Sequence, residues 1–152
     1  MKKTLALALF LAVFTLAQTN TNQTTITAHV AVNVSAGQTA CLEGIPPVGI
    51  VPCDNTVSNP AAAIGVFLTS GTAGSHGTEA TIAVNGNVLA SVPMGTGCSA
   101  GDLVGDIDGS GNLGDLGAPS TVSGPVSYVG ICESPNVNET ALNIIVQPGY
   151  VF

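Results

Sequence analysis

Thr25-Ile26-Thr27-Ala28-His29-Val30-Ala31-Val32-Asn33-Val34 decides the fold class. Ile26, Ala28, Val30, Val32 and Val34 fall on one face, and Thr25, Thr27, His29, Ala31 and Asn33 on the other. A period of two is the mark of a half-buried strand, and five apolar positions in register make this the clearest strand of the chain. A second signal is Thr81-Ile82-Ala83-Val84, then Asn85-Gly86, then Asn87-Val88-Leu89-Ala90-Ser91-Val92. Asn-Gly between two apolar runs predicts a hairpin, because both residues accept positive φ in a type I′ turn. Further strands are expected at 48–51, 61–68, 121–123, 126–131 and 141–147. Short strands between Gly- and Pro-rich turns, with no helical periodicity after the first residues, predict an all-β chain. The expected architecture is a single antiparallel β-sandwich of the immunoglobulin-like or jelly-roll sort.

Lys2 and Lys3 are the only basic side chains, and they precede an apolar run from Thr4 to Ala17. A basic start, a short apolar stretch and small residues at Thr15-Leu16-Ala17 predict a cleaved signal peptide over 1–17. The run falls short of the roughly 20 residues that a membrane span needs. No membrane insertion is therefore expected after cleavage, and the product should be secreted, extracellular or at the cell surface. The expected organisation is a leader (1–17), an amino-terminal extension with the first strand (18–34) and a sandwich domain (35–152).

All nine carboxylates follow the leader, and no Lys or Arg does. Each carboxylate must be solvated, hydrogen-bonded or bound by a cation from solution, because no Lys or Arg can pair with it. Such a surface cannot neutralise phosphates, which excludes nucleic acid and anionic lipid headgroups as partners. Four cysteines in an exported chain argue for two disulfides. Three pairings are possible on paper, and sequence proximity favours Cys41–Cys53 with Cys98–Cys132.

Residues 101–117, GDLVGDIDGSGNLGDLG, hold four of the nine carboxylates, Asp102, Asp106, Asp108 and Asp115, and are the densest functional candidate. Asp106-Ile107-Asp108-Gly109-Ser110-Gly111-Asn112-Leu113 resembles the front half of an EF-hand calcium loop. Ca²⁺ takes six to eight oxygens, which alternate residues of a tight turn can supply. The resemblance implies ligands from Asp106, Asp108 and Ser110, a sharp turn at Gly111 and a backbone carbonyl from Asn112. Gly117 stands where the bidentate Glu would be, so Asp115 or Asp102 would complete the shell. The implied role of Ca²⁺ is structural. His29 and His76 are the strong general-base candidates, but no GxSxG elbow accompanies them and no enzyme activity is expected. Asn22, Asn33 and Asn138 each begin an Asn-x-Ser/Thr glycosylation triplet.

A polar stretch, 18–24, leads into a strand with a long apolar stripe. That is the design of a donor strand, with Ile26, Ala28, Val30, Val32 and Val34 filling the groove of a neighbouring subunit. A head-to-tail contact of this kind does not close, so it builds a filament. In its leader, its Thr25–Val34 strand, its Ser/Thr/Asn/Gly-rich composition and its expected disulfides, the chain resembles secreted β-sandwich fibre subunits. These are the archaeal threads and bundling pili and the biofilm fibres of the TasA–camelysin type. The resemblance implies a homo-polymeric filament subunit acting in cell adhesion or biofilm. Crosslinking through Lys–Asn isopeptide bonds is excluded, because no lysine follows the leader. The alternative is a monomeric or surface-layer-associated module, stabilised by calcium, that binds glycans.

Overall fold

The computed structural model describes residues 23–42, 49–56, 61–74, 77–91, 97–134 and 141–152. The expected leader, Asn22, His76 and Asn138 lie outside the described residues. Among the described residues there are nine strands and no helix. They are β1 (Thr24–His29), β2 (Thr39–Leu42), β3 (Ile50–Pro52), β4 (Ala63–Phe67), β5 (Glu79–Ser91), β6 (Leu103–Asp106), β7 (Leu113–Gly117), β8 (Val126–Ser134) and β9 (Ala141–Val151). The ladders between them are antiparallel.

The sheet forms two layers that share β5. Its first half pairs with β1 and β4, and β4 continues to β2 and β3. Its second half pairs with β9, followed by β8, β6 and β7. Between the layers lies the larger core. Val66 and Ala83 of the first layer meet Val104, Leu113, Val129, Leu142, Ile144 and Val146 of the second. The opposite face of the first layer carries a smaller core of Val30, Val34, Ala40, Ile50, Phe67, Ala80 and Ile82. β4 and the first half of β5 thus feed both cores, which is why 63–67 and 80–84 read as near-continuous apolar runs rather than as alternating ones.

The predicted hairpin at Asn85-Gly86 is not there. The chain runs straight through as one 13-residue strand. Gly86 does take positive φ, at 99°, within a continuous strand and two residues past a bulge. Thr24 pairs with Asn85 and Thr25 with Ala83, so Val84 is left without a partner. One extra residue shifts the side-chain phase by one. Before the slip, Ala80 and Ile82 enter the smaller core and Ala83 the larger; after it, Val88 and Ala90 enter the larger. The slip lets one strand leave the first layer and join the second. A matching slip occurs in β4, where Ala40 pairs with Gly65 and Cys41 with Ala63. A Cβ on Gly65 would lie 1.9 Å from the Ala83 carbonyl oxygen. Only glycine fits that crossing.

The alternation over 25–34 also needs correction. β1 ends at His29, and the apolar stripe sinks along it from Ile26, 40% exposed, to a buried Val30. Val30 then bridges Ile50 in parallel, and Ala31 donates its N–H to the Ile50 carbonyl. That contact turns the chain, so Val32 swings out to 44% exposure before Val34 returns to the smaller core. β1 is a strand of the same sheet, seated on its own β5. Residues 121–123, expected as a strand, form a turn closed by the Ala118 carbonyl.

Both disulfides are present. Cys41–Cys53 ties β2 to the end of β3, and Cys98–Cys132 ties the approach to β6 onto β8. The enclosed separations of 12 and 34 residues correspond to about 3 and about 4 kcal/mol of unfolded-state entropy at 25 °C, on the chain-entropy account.

Gly65→Ala should destabilise the protein by about 2 kcal/mol or more in a denaturant melt, because backbone must move. Gly97→Ala, where a Cβ meets nothing within 4 Å, should change little. Equal effects would contradict the close crossing of β4 and β5.

Candidate functional site

The turn joining β6 to β7, residues 106–112, is built around one carboxylate. Asp106 is 1% exposed. Its Oδ1 accepts the Gly111 N–H at 2.8 Å and the Gly109 N–H at 3.2 Å; its Oδ2 accepts those of Asn55 at 2.8 Å and Gly109 at 3.0 Å. Gly109 and Gly111 hold φ of 76° and 79°, which aims successive amides at one point. The cradle thus replaces the missing Lys or Arg partner with backbone dipoles. Burial pushes the Asp106 carboxyl above the ordinary carboxylate range, against the pull of the amides of Asn55, Asp108, Gly109 and Gly111.

The turn is also a clasp between the layers. The Asn55 side chain donates to the Asp106 carbonyl at 3.1 Å and the Ser127 carbonyl at 2.9 Å. Its Oδ1 accepts from the Ser127 hydroxyl at 3.1 Å. From β2, Thr39 donates both its N–H, at 2.8 Å, and its hydroxyl, at 3.1 Å, to the Gly111 carbonyl. Gln38 reaches the Ser110 carbonyl at 2.8 Å. Thr39, Asp106 and Ser127 are the buried polar residues among those described, and all three belong to this clasp. Beside it lies an open cleft of about 380 Å³, walled by Thr56, Ile107, Asp115, Leu116 and Val126.

The residues expected to ligate calcium are not brought together as a set. Asp108 is exposed, and it accepts the Ser110 N–H at 2.9 Å and the Asn112 side-chain amide at 2.6 Å. Its slight burial acts to raise its pKa, but these bonds outweigh it and hold the carboxyl below the ordinary range. Ser110 and Asn112 meet Gln38, the residue before β2, through their backbones. Asp115 stands on β7, accepting the Gly117 N–H at 2.7 Å. Asp102 lies four residues before Asp106 on an extended segment, about 13 Å away at the usual strand rise. There it accepts the Ser99 N–H at 3.0 Å, beside the Cys98–Cys132 disulfide. Among the described residues no three His, Cys, Asp or Glu side chains converge as a metal site.

His29 faces Glu79 at 3.5 Å on the surface of β1 and β5. Asn33 is exposed, and its Oδ1 accepts the Ala73 N–H at 2.9 Å. Sequence reasoning missed Asn55, Thr39 and Ser127. Nothing in Cys53-Asp54-Asn55-Thr56 distinguishes it from an ordinary polar turn until β8 is placed next to it.

No family model matches the chain, and no curated protein matches it. Among solved structures, the head fiber gp8.5 N base of bacteriophage phi29 is similar over 82% of this chain and 94% of that chain, with 16% identity and a TM-score of 0.49.

Asp106→Asn places a donor among backbone donors and should cost about 2–3 kcal/mol, whereas Asp108→Asn, at the surface, should cost less than 1. The pH dependence has a definite sign. Asp106 binds its proton more tightly folded than unfolded, so its contribution is full below pH 3.8 and is lost as pH rises through its raised value. Asp108 contributes above pH 3.8 and is lost only as pH falls through its lowered value. Melting temperature should therefore hold or rise from pH 7 down to about 4, then fall; a decline beginning near pH 6 would contradict this. With the Asp106 oxygens filled by N–H groups, melting should also be the same in Ca²⁺ and in chelator. A rise of several degrees with Ca²⁺, lost in Asp108→Asn, would show instead that the turn takes the ion.

Proposed function

We propose that this chain is a non-catalytic structural subunit of an exported multi-subunit assembly, such as a surface fibre. The observation that carries this is the use to which its polar chemistry is put. The buried carboxylate of Asp106, the half-buried amide of Asn55 and the buried hydroxyl of Ser127 hold one another and the backbone across two layers. A general base or nucleophile needs a lone pair or proton free for a substrate, and these groups are engaged. Two disulfides brace the same layers. Rigidity, low charge and crosslinks favour persistence outside the cell over turnover.

Assembly by donor-strand exchange is the less favoured form of this proposal. Exchange would withdraw Val30 and Val34 from the core they share with Phe67 and Ile82, at about 1.5–3 kcal/mol for each side chain. Assembly with β1 kept on its own chain avoids that loss.

Negative-stain microscopy and sedimentation of the purified, oxidised protein test the proposal. Ordered particles of uniform width that grow with concentration are expected. Single small particles at every concentration would overturn it.

A further inference from the structure

A sheet edge with free N–H and C=O groups is a template for another strand unless it is short, charged, bulged or covered. β3, the first layer's far edge, has three residues, ends in Pro52 and is met by the Val30–Ala31 segment. β7, the second layer's edge, carries the exposed Asp115 and faces a register shift between Leu103 and Val104. β1 is the longest of these edges, and its one register shift lies at its first pair, Thr24/Thr25, leaving Thr25–His29 in unbroken register with β5. Its six residues, TTITAH, include no Pro, Asp, Glu, Lys or Arg; five are exposed, and among the described strands it pairs with β5 alone.

We infer that β1 is a docking edge for the β1 strand of a second copy of this chain, paired antiparallel about a two-fold axis. This rests on the assembly proposed above and names its contact. Charge selects the occupant. The protein carries a net −7, so two copies repel wherever carboxylates meet, and β1 is an edge free of them. An antiparallel strand is self-complementary in register. With Ile26 opposite its equivalent, Thr25 faces Thr27 of the second copy at both ends, giving β-branched cross-strand pairs. The same register holds the two His29–Glu79 pairs about 20 Å apart, at the usual strand rise. Pairing one strand with one strand is a small contact, so the dimer forms in the micromolar range or weaker.

Sedimentation velocity over a concentration series tests this with a charge-swap pair. Thr25→Asp with Thr27→Asp puts carboxylates directly opposite each other in this register; Thr25→Lys with Thr27→Lys does the same with ammonium groups. Each variant alone should dissociate at least tenfold more readily than the unaltered protein. An equimolar mixture should recover the dimer, a result that misfolding cannot produce. Self-association unchanged by either variant would overturn the β1 contact while leaving the assembly proposal standing on another surface. An unaltered protein that stays monomeric throughout would overturn both. Recovery by an unrelated β-strand peptide as readily as by the charge-swapped partner would also overturn it, because the edge would then not select a second copy.

Discussion

The carboxylate of Asp106 is buried in a sequence with no Lys or Arg after Lys3 to face it, and the junction of the two layers depends on how that charge is met. An isolated buried carboxylate is very costly. Backbone amides of Asn55, Gly109 and Gly111 meet it at 2.8–3.2 Å. Since Asn55 follows β3 and the glycines lie between β6 and β7, solvating the charge also docks the first layer on the second. The Asn55 side chain extends the bond to β8 through Ser127. Hydrogen bonds to an ionised acceptor are the stronger kind, at about 1.5–3 kcal/mol each, and here they offset the cost of burying the charge in part, since burial still raises the carboxyl pKa.

Around this clasp the packing is aliphatic and close. β4 and the first half of β5 contribute side chains to both cores, and each strand changes the face it offers to a core part-way along. A one-residue slip beside Gly65 and another at Val84 perform that change. Small side chains follow from the same requirement. Ala40, Ala80, Ala83 and Ala90 are fully or almost fully buried where strands pass closely, and larger residues would push the layers apart.

Period-two alternation and the spacing of apolar runs made β1, β3, β4, β8 and β9 legible, because those signals depend on local side-chain direction. The all-β class followed from them, and the disulfide partners are those nearest in sequence. Asn85-Gly86 misled for a physical reason. A positive-φ glycine fits a tight turn and a strand just past a bulge alike, and only the neighbours of a strand decide between them. Over 101–117, glycine and aspartate hid β6 and β7, whose buried hydrophobic side chains are only Leu103, Val104 and Leu113. The run of aspartates was visible as a turn that gathers ligands. That backbone amides would fill Asp106 was not, since Asn55 reaches it from 51 residues away.

The central claim is that Asp106 and Asn55 act as one unit joining the layers, and a double-mutant cycle of Asn55→Ala and Asp106→Asn, read by chemical denaturation, tests it most directly. A coupling energy of about 1–3 kcal/mol, with the double variant little worse than the more damaging single one, is the predicted result. Additive losses would contradict the account, since the two residues would then stabilise their layers separately.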